Sequence, residues 1–407
     1  MSDDVVVLGQ SVFWHGHLLG RNDIRVHVVD ESPTLSPAFE GRATLVTVPS
    51  LKSVDDLTWA AGTLLSRGVQ PRWIGVGSEM LQTSRGQLAA ALGLPGPTPE
   101  LVTRTRDKRV MKKLVRAAGI PAAEFVSIPH PVDRATAKSI VDQLGLPCVV
   151  KPVGGSGSAR TYLCHSIADV AAALDRQQGP AIAERHVAGK EYHVDAVWDG
   201  DQPWVFTVSE YGVPPIELGQ GRGRVVSMVH DPSRRPDLYS DALALSRRVN
   251  RALGITEGPT HLEFFETSDG LVFNEVGSRM AGGAFPSLVR AMCGTDLREI
   301  CTQHARRAPR ADLRISAPRH PVTAMFNIAP PRTYGRITAL PDLEKIAAEA
   351  HVLHTEISEG VCVGLRIDPG ADKGHPWGVL VIVGTEDTSS VFDLSEDIAS
   401  RFPIYVG

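Results

Sequence analysis

The chain has 407 residues, 43% of them hydrophobic and 22% charged, which predicts a soluble protein of two or three domains, each with its own core. A formal net charge of −4 leaves no global basic field to hold nucleic acid or an anionic membrane, so neither is expected as a partner. The Met-Ser-Asp-Asp start lacks a signal-peptide pattern, no apolar run matches a bilayer span, and the five cysteines contain no C-x-x-C pair; a cytoplasmic protein with reduced thiols is expected.

The first strand reads Val5-Val6-Val7-Leu8-Gly9, and Val26-His27-Val28-Val29-Asp30 and Trp73-Ile74-Gly75-Val76-Gly77 follow after helix-length segments. Short apolar strands alternating with helices predict a doubly wound α/β unit. The turn after its first strand, Gly9-Gln10-Ser11-Val12-Phe13, lacks the G-x-G-x-x-G of a dinucleotide site, which argues against NAD. Breakers from Leu94 to Pro99 read as a linker. A helix is expected from Arg106 to Ala118, ended by Gly119 and Pro121. Next come a strand near Phe125, a helix over Ala135 to Leu144, and a strand Cys148 to Lys151 that Pro152 stops. Strands are expected near Ile182 and over Tyr192 to Trp198. From about Val322 short strands alternate with turns around one helix, Leu343 to Ala350.

Two stretches carry chemistry. Lys151 at a strand end precedes Gly154-Gly155-Ser156-Gly157-Ser158, a loop whose glycines let backbone N–H groups turn toward a phosphate; a plain surface connection has the same composition. The segment His261 to Thr267, the turn Ser268-Asp269-Gly270 and the segment Leu271 to Val276 read as a hairpin. A three-residue loop with glycine at its last position pairs Thr267 with Leu271, Phe265 with Phe273 and Glu263 with Glu275. A two-residue loop would put the glutamates on opposite faces. In the first register the carboxylates face each other at about 5 Å between Cβ atoms, a repulsion that a shared proton or a divalent cation would offset. By alternation Asn274 points away from Glu275, while His261 shares the face of Glu263. Arg279, four residues after Glu275, has the geometry to reach a phosphate or carboxylate, or to make a structural ion pair.

In their order along the chain these motifs resemble the ATP-grasp superfamily, and within it the L-amino acid ligases, over Asp107 to about Gly283. The family's opening lysine corresponds to Lys108, its strand lysine and glycine loop to Lys151 through Ser158, and its nucleotide hinge to Glu184-Arg185-His186-Val187-Ala188-Gly189-Lys190-Glu191. The resemblance implies that Lys108, Lys151, Ser156, Gly157 and Ser158 hold ATP phosphates. It implies that Glu184, His186 and Val187 border adenine and that Glu191 binds ribose. Glu263 and Glu275 would ligate Mg2+ (or Mn2+), with Arg279 and His261 as catalytic groups, Arg279 steadying an acyl phosphate. Two departures stand out: Gly277 occupies the asparagine position of the family's E-x-N-x-R, which puts a two-metal arrangement in doubt, and His186 replaces the usual hinge aromatic.

The implied fold class is mixed α/β and α+β. An N-terminal doubly wound domain (1–104) would precede an ATP-grasp region (105–315, with a mobile lid at 121–187) and a small C-terminal β-rich domain (316–407). The implied function is ATP-dependent amide or dipeptide formation from an amino acid, or a similar carboxylate, and an amine, through an acyl phosphate. Alternatives are a carboxylase-like or thiol- or hydroxyl-acceptor ligase, and a non-catalytic ATP-binding regulatory module. Arg222 and Arg224, in a glycine-flanked basic loop, are candidates to clamp a substrate carboxylate, or are simply solvated. Gly282 and Gly283 are further substrate-side candidates, Tyr211 and His230 weaker ones, and a homodimer is left open as the assembly.

Overall fold

The computed structural model describes residues 2–130, 136–218, 222–368 and 378–407. The start of the helix expected at Ala135 and the 219–221 part of the basic loop lie outside them.

The first unit is a parallel sheet of β1 (Asp3–Leu8), β2 (Ile24–Asp30), β3 (Ala43–Thr47) and β4 (Pro71–Val76), in the order β3-β2-β1-β4. Val5, Val6 and Val7 are wholly buried, because a central parallel strand is covered on both faces. In the turn after β1, Ser11 caps the short helix Val12–His15 that presents Phe13 and Trp14.

β5 (Phe125–Ile128), β6 (Cys148–Pro152), β7 (Tyr162–Cys164) and β8 (Ala181–Arg185) form an antiparallel sheet in the order β5-β8-β6-β7. Its core includes Ile140 and Leu144 of one helix and Val170 and Leu174 of another. The glycine loop links β6 to β7. Pro152 is the last residue of β6 rather than a stop before it.

The largest sheet contains β9 (Lys190–Asp199), β10 (Gln202–Glu210), β11 (Val225–His230), β12 (Glu257–Thr267), β13 (Gly270–Gly277) and β14 (Val322–Ile328). After β15 (Gly335–Ala339), it continues with β16 (Val352–Ile357) and, beyond the short β17 (Arg366–Ile367), with β18 (Val379–Thr385). Its order is β13-β12-β9-β10-β11-β14-β18-β16, so one antiparallel sheet runs across residue 316. β15, β17 and the terminal β19 (Tyr405–Val406) make a small separate sheet. On one face of the large sheet Tyr192, Val194, Leu262, Phe264, Phe273 and Val276 pack with Met111 and Val115 of the helix Lys108–Ala117 and with the helix Pro236–Leu253. Among the described residues, no helix is long and apolar enough to cross a membrane.

The hairpin corrects one expectation while keeping its consequence. Thr267 pairs with Gly270, so the loop is the two residues Ser268-Asp269, not three. The pairs Glu266–Leu271, Phe265–Val272 and Phe264–Phe273 follow, and a β-bulge then restores Glu263 opposite Glu275. The extra residue is Asn274. Phe273 and Val276 both belong to the apolar core, so Asn274 and Glu275 between them both project into the cleft. Asn274 therefore lies beside the carboxylates, contrary to simple alternation.

Candidate active site

A cleft of about 1110 Å³ opens where the β5-β8-β6-β7 sheet, the large sheet and the first unit meet. Three lysines converge on it. Asp107 caps the helix Lys108–Ala117 by accepting from the N–H groups of Arg109 and Val110. That start aims Lys108 inward: its Nζ lies 2.9 Å from Glu275 Oε2 and donates to the Gly155 carbonyl at 3.1 Å. Lys112, one helical turn on, is wholly buried and lies 3.3 Å from Glu184 Oε2. Lys151 of β6 lies 3.1 Å from the same oxygen and 3.4 Å from Asn274 Oδ1.

Electrostatics separate these groups. Burial lowers the Lys112 pKa to about 8 despite Glu184. Lys151 rises to about 12: burial opposes its charge, but Glu184 and then Glu275 outweigh it. Glu275 falls to about 2, burial being overcome by Lys108 and then Lys151. Glu184 is held low by Lys112 and Lys151 against burial. Glu191 moves the other way, up to about 8, through burial and the neighbouring Glu263.

Glu263 Oε1 accepts from the Tyr211 hydroxyl at 2.9 Å and lies 3.4 Å from His261 Nε2. Its Oε2 accepts from Asn274 Nδ2 at 3.2 Å, and that amide also donates to Glu191 at 3.3 Å. His261 rises to about 10: burial disfavours its charge, but Asp195 and then Glu263 hold it protonated. Two carboxylates in register, with an amide oxygen on the bulge between their strands, form an all-oxygen donor set. That fits Mg2+, which takes one or two protein carboxylates and completes its shell with phosphate and water.

Most of the other residues singled out in the sequence line the same cleft. Ser156, Gly157 and Ser158 do so from the loop after β6, Glu184, His186, Val187 and Glu191 from β8, β9 and the segment between them, and His261, Arg279, Gly282 and Gly283 from the large sheet and the loop after it. Gly157 and Ser158 have φ of 57° and 55°, the left-handed geometry of a turned-in loop. Gly189 is required between β8 and β9, since a Cβ there would lie 2.6 Å from the Glu266 carbonyl oxygen. Arg279 contacts the Glu79 carboxylate through Nε, and Arg106 donates to Glu79 at 2.7 Å. The ion-pair role open to Arg279 is thus occupied by an acid from the first unit. A Cβ at Gly277 would stand 3.4 Å from Glu79 Oε2 and 3.5 Å from Arg279 Cγ, so an asparagine there would lie in contact with that pair.

Arg222 and Arg224 are not brought to the cleft wall: Arg222 lies 3.6 Å from Glu217 and Arg224 3.2 Å from Glu396. His230 lies 3.3 Å from Glu210, while Tyr211 lines the cleft. The reading of motifs missed Lys112, Glu79, His193 and Asp195. Lys112 carried a signal in its i+4 spacing from Lys108.

No family model matches the chain. Over 225 residues, 53% of the chain, it is 28% identical to an L-arginine-specific L-amino acid ligase of Bacillus subtilis, covering 52% of that protein. A D-alanine–D-alanine ligase of an Anaeromyxobacter species is 27% identical over 54% of the chain and 68% of its own length. The chain thus spans about half the length of the first curated relatives it matches. Among solved structures, an L-amino acid ligase from Bacillus licheniformis superposes with a TM-score of 0.79 at 17% identity, over 100% of this chain and 99% of the other. A carboxyaminoimidazole ribonucleotide synthase from Aspergillus clavatus, complexed with ATP, superposes at 0.72 with 19% identity, over 98% and 99%. At these identities the structures establish the fold.

Proposed function

Because this chain is an ATP-grasp protein by fold and by kinship, we propose that it is an ATP-dependent carboxylate–amine ligase that forms an amide or peptide bond through an acyl phosphate. The observation that carries the reading is the single cleft in which Lys108, Lys112 and Lys151 face Glu263, Glu275 and Asn274. Phosphoryl transfer needs positioning and charge stabilisation more than covalent chemistry, and this set provides both.

In the proposed reaction a substrate carboxylate oxygen attacks the γ-phosphorus of ATP, ADP leaves, and an acyl phosphate remains. A neutral amine then attacks the acyl carbon, inorganic phosphate leaves, and the nitrogen loses a proton as the amide forms. Lys108 and Lys151 would hold the phosphates, and Lys112 would add positive charge behind them. Glu263 and Glu275 would hold Mg2+, which when bound offsets charge on the β- and γ-phosphates. Glu184, His186 and Val187 would border adenine, and Glu191, whose raised pKa suits a hydrogen-bonded carboxyl, the ribose hydroxyls. Arg279 would exchange Glu79 for the acyl phosphate, while Gly282 and Gly283 let substrate approach the backbone. The glycine loop, as a lid, would exclude water from the acyl phosphate.

The test is a screen of amino acids, singly and in pairs, for ATP-dependent phosphate release with mass detection of the product. A new mass equal to two substrates less water supports the reading. Turnover dependent on bicarbonate would replace it with carboxylation, and phosphate release at background across all pairs would favour a regulatory ATP-binding module.

A further inference from the structure

Behind the carboxylate hairpin a row of polar side chains runs into the sheet, where the reaction itself needs none. Glu191, His193 and Asp195 alternate along β9, and His261 and Glu263 along β12. The register sets Glu263 against His193 and His261 against Asp195, so these side chains share one face. From the cleft inward, His261 Nε2 lies 3.4 Å from Glu263 Oε1, and His261 Nδ1 lies 2.9 Å from Asp195 Oδ1. Asp195 Oδ2 lies 2.8 Å from His193 Nδ1, and His193 Nε2 lies 2.8 Å from the Ser227 hydroxyl of β11.

His261 lines the cleft; Asp195 and His193 do not. Asp195 is 1% exposed, and His193 and Ser227 are 0% exposed. A buried carboxylate costs several kcal/mol unless it is well paired, so a role that repays Asp195 has to act through its partners. Those partners end on one atom. Glu263 Oε1 lies 3.4 Å from His261 Nε2 and accepts from the Tyr211 hydroxyl, which itself lies 3.3 Å from His261 Nε2, while Oε2 accepts from the Asn274 amide.

We propose that Asp195 is a positioning residue: through His261 it fixes the Glu263 carboxylate in the one orientation that receives a divalent cation. This rests on the reading of Glu263 as a metal ligand. Partners behind a ligand commonly set metal affinity by fixing the ligand's direction, and truncating them weakens binding by about 10- to 100-fold. The ligand atoms of His193, Asp195 and His261 lie within 4.8 Å of one another, which makes a second ion between them the competing explanation.

The experiment uses the full chain. Mn2+ is titrated in the presence of a non-hydrolysable ATP analogue, with free Mn2+ read by electron paramagnetic resonance. Binding of the analogue without metal is measured separately. D195N keeps the shape of the side chain but loses one of two acceptors. It is expected to raise the Mn2+ Kd by roughly 10-fold or more, leaving metal-free nucleotide binding unchanged. H261Q is expected to shift in the same direction and serves alone if D195N does not fold. A folded D195N or H261Q with wild-type Mn2+ affinity overturns the proposal. So does a second Mn2+ equivalent that disappears in H193Q. E263Q separates the two levels: full Mn2+ affinity in E263Q removes the metal reading itself, whereas loss in E263Q with retention in D195N removes only the positioning role.

Discussion

Glu184→Gln is the most direct probe of the charge arrangement in the cleft. Glu184 is 4% exposed, and one of its oxygens lies 3.3 Å from Lys112 and 3.1 Å from Lys151. The amide is isosteric but uncharged. Lys151 keeps Glu275 and Glu263 as counter-charges, so the loss falls mainly on Lys112. Lys112 is wholly buried, with Phe273 at 6.0 Å and the weaker pull of Glu275 as its remaining partners. Breaking a buried pair by removing one member costs about 3–5 kcal/mol. Lys112 already stands near 8 against an ordinary 10.5, so without Glu184 it sheds its proton at still lower pH; neutralising it at pH 7 costs about 1.4 kcal/mol, which caps the loss. For a unit of this size that is a fall of roughly 3–6 °C in Tm. The pH dependence has a definite sign. The folded state binds fewer protons at Lys112 than the unfolded chain does, so stability from this residue rises with pH through the window from about 8 to 10.5. Above that folded pKa the wild-type lysine is itself mostly neutral and gains little from Glu184. The deficit of E184Q should therefore shrink between pH 7 and pH 9.5 in thermal melts of the two proteins. Equal melting at pH 7, or a deficit undiminished at pH 9.5, would refute the reasoning. Adding Lys112→Met to E184Q should restore most of the stability, because removing both partners leaves no buried charge uncompensated.

Glu275→Ala should reduce ATP-dependent phosphate release by at least about 100-fold, at some cost in stability because it leaves Lys108 without its partner at 2.9 Å; unchanged ligation rates would sink its assignment as a ligand. Gly189→Ala forces a methyl to 2.6 Å from the Glu266 carbonyl oxygen, an overpacking worth about 1–3 kcal/mol. A fluorescent ATP analogue should bind about 10-fold more weakly to it, and wild-type affinity would show that the hinge does not touch nucleotide. Gly277→Asn supplies the asparagine of the E-x-N-x-R pattern and sets a polar side chain against the Glu79–Arg279 pair, its Cβ 3.4 Å from Glu79 Oε2. Turnover should fall rather than rise, and a gain in kcat would mean that Glu79 already yields its place during catalysis.

The parallel first sheet, the strands β6 and β8 and the hairpin were legible because each is a run of apolar residues at strand spacing bounded by breakers. Lys112 and the His193–Asp195 pair were legible in principle. The lysine repeats Lys108 one helical turn later, and the two polar residues interrupt an apolar strand at every second position. Glu79 was not, because it meets Arg279 from 200 residues away, through the packing of the first unit on the large sheet.

The hairpin shows why local rules fell short even where their conclusion survived. Loop chemistry and strict alternation together demanded a three-residue turn to bring Glu263 opposite Glu275. The folded chain takes the tighter two-residue turn and corrects the register by one residue at Asn274. What decides between these solutions is the core. Phe273 and Val276 are both buried against Met111 and the helix Pro236–Leu253, and three residues apart on a regular strand they would face opposite ways. Only a bulge puts both inside. The same irregularity turns Asn274 and Glu275 together into the cleft, so the apolar packing on one face of β13 sets the spacing of oxygen donors on the other. Shortening the problem to one substitution makes the dependence testable: Val276→Thr keeps the side-chain shape and removes the apolar reason for the bulge. If the core sets the register, amide exchange across β12 and β13 should quicken and Mn2+ affinity should fall in step with it. Faster exchange with wild-type Mn2+ affinity would mean that the carboxylates are placed by their own contacts with Lys108, Tyr211 and His261 instead.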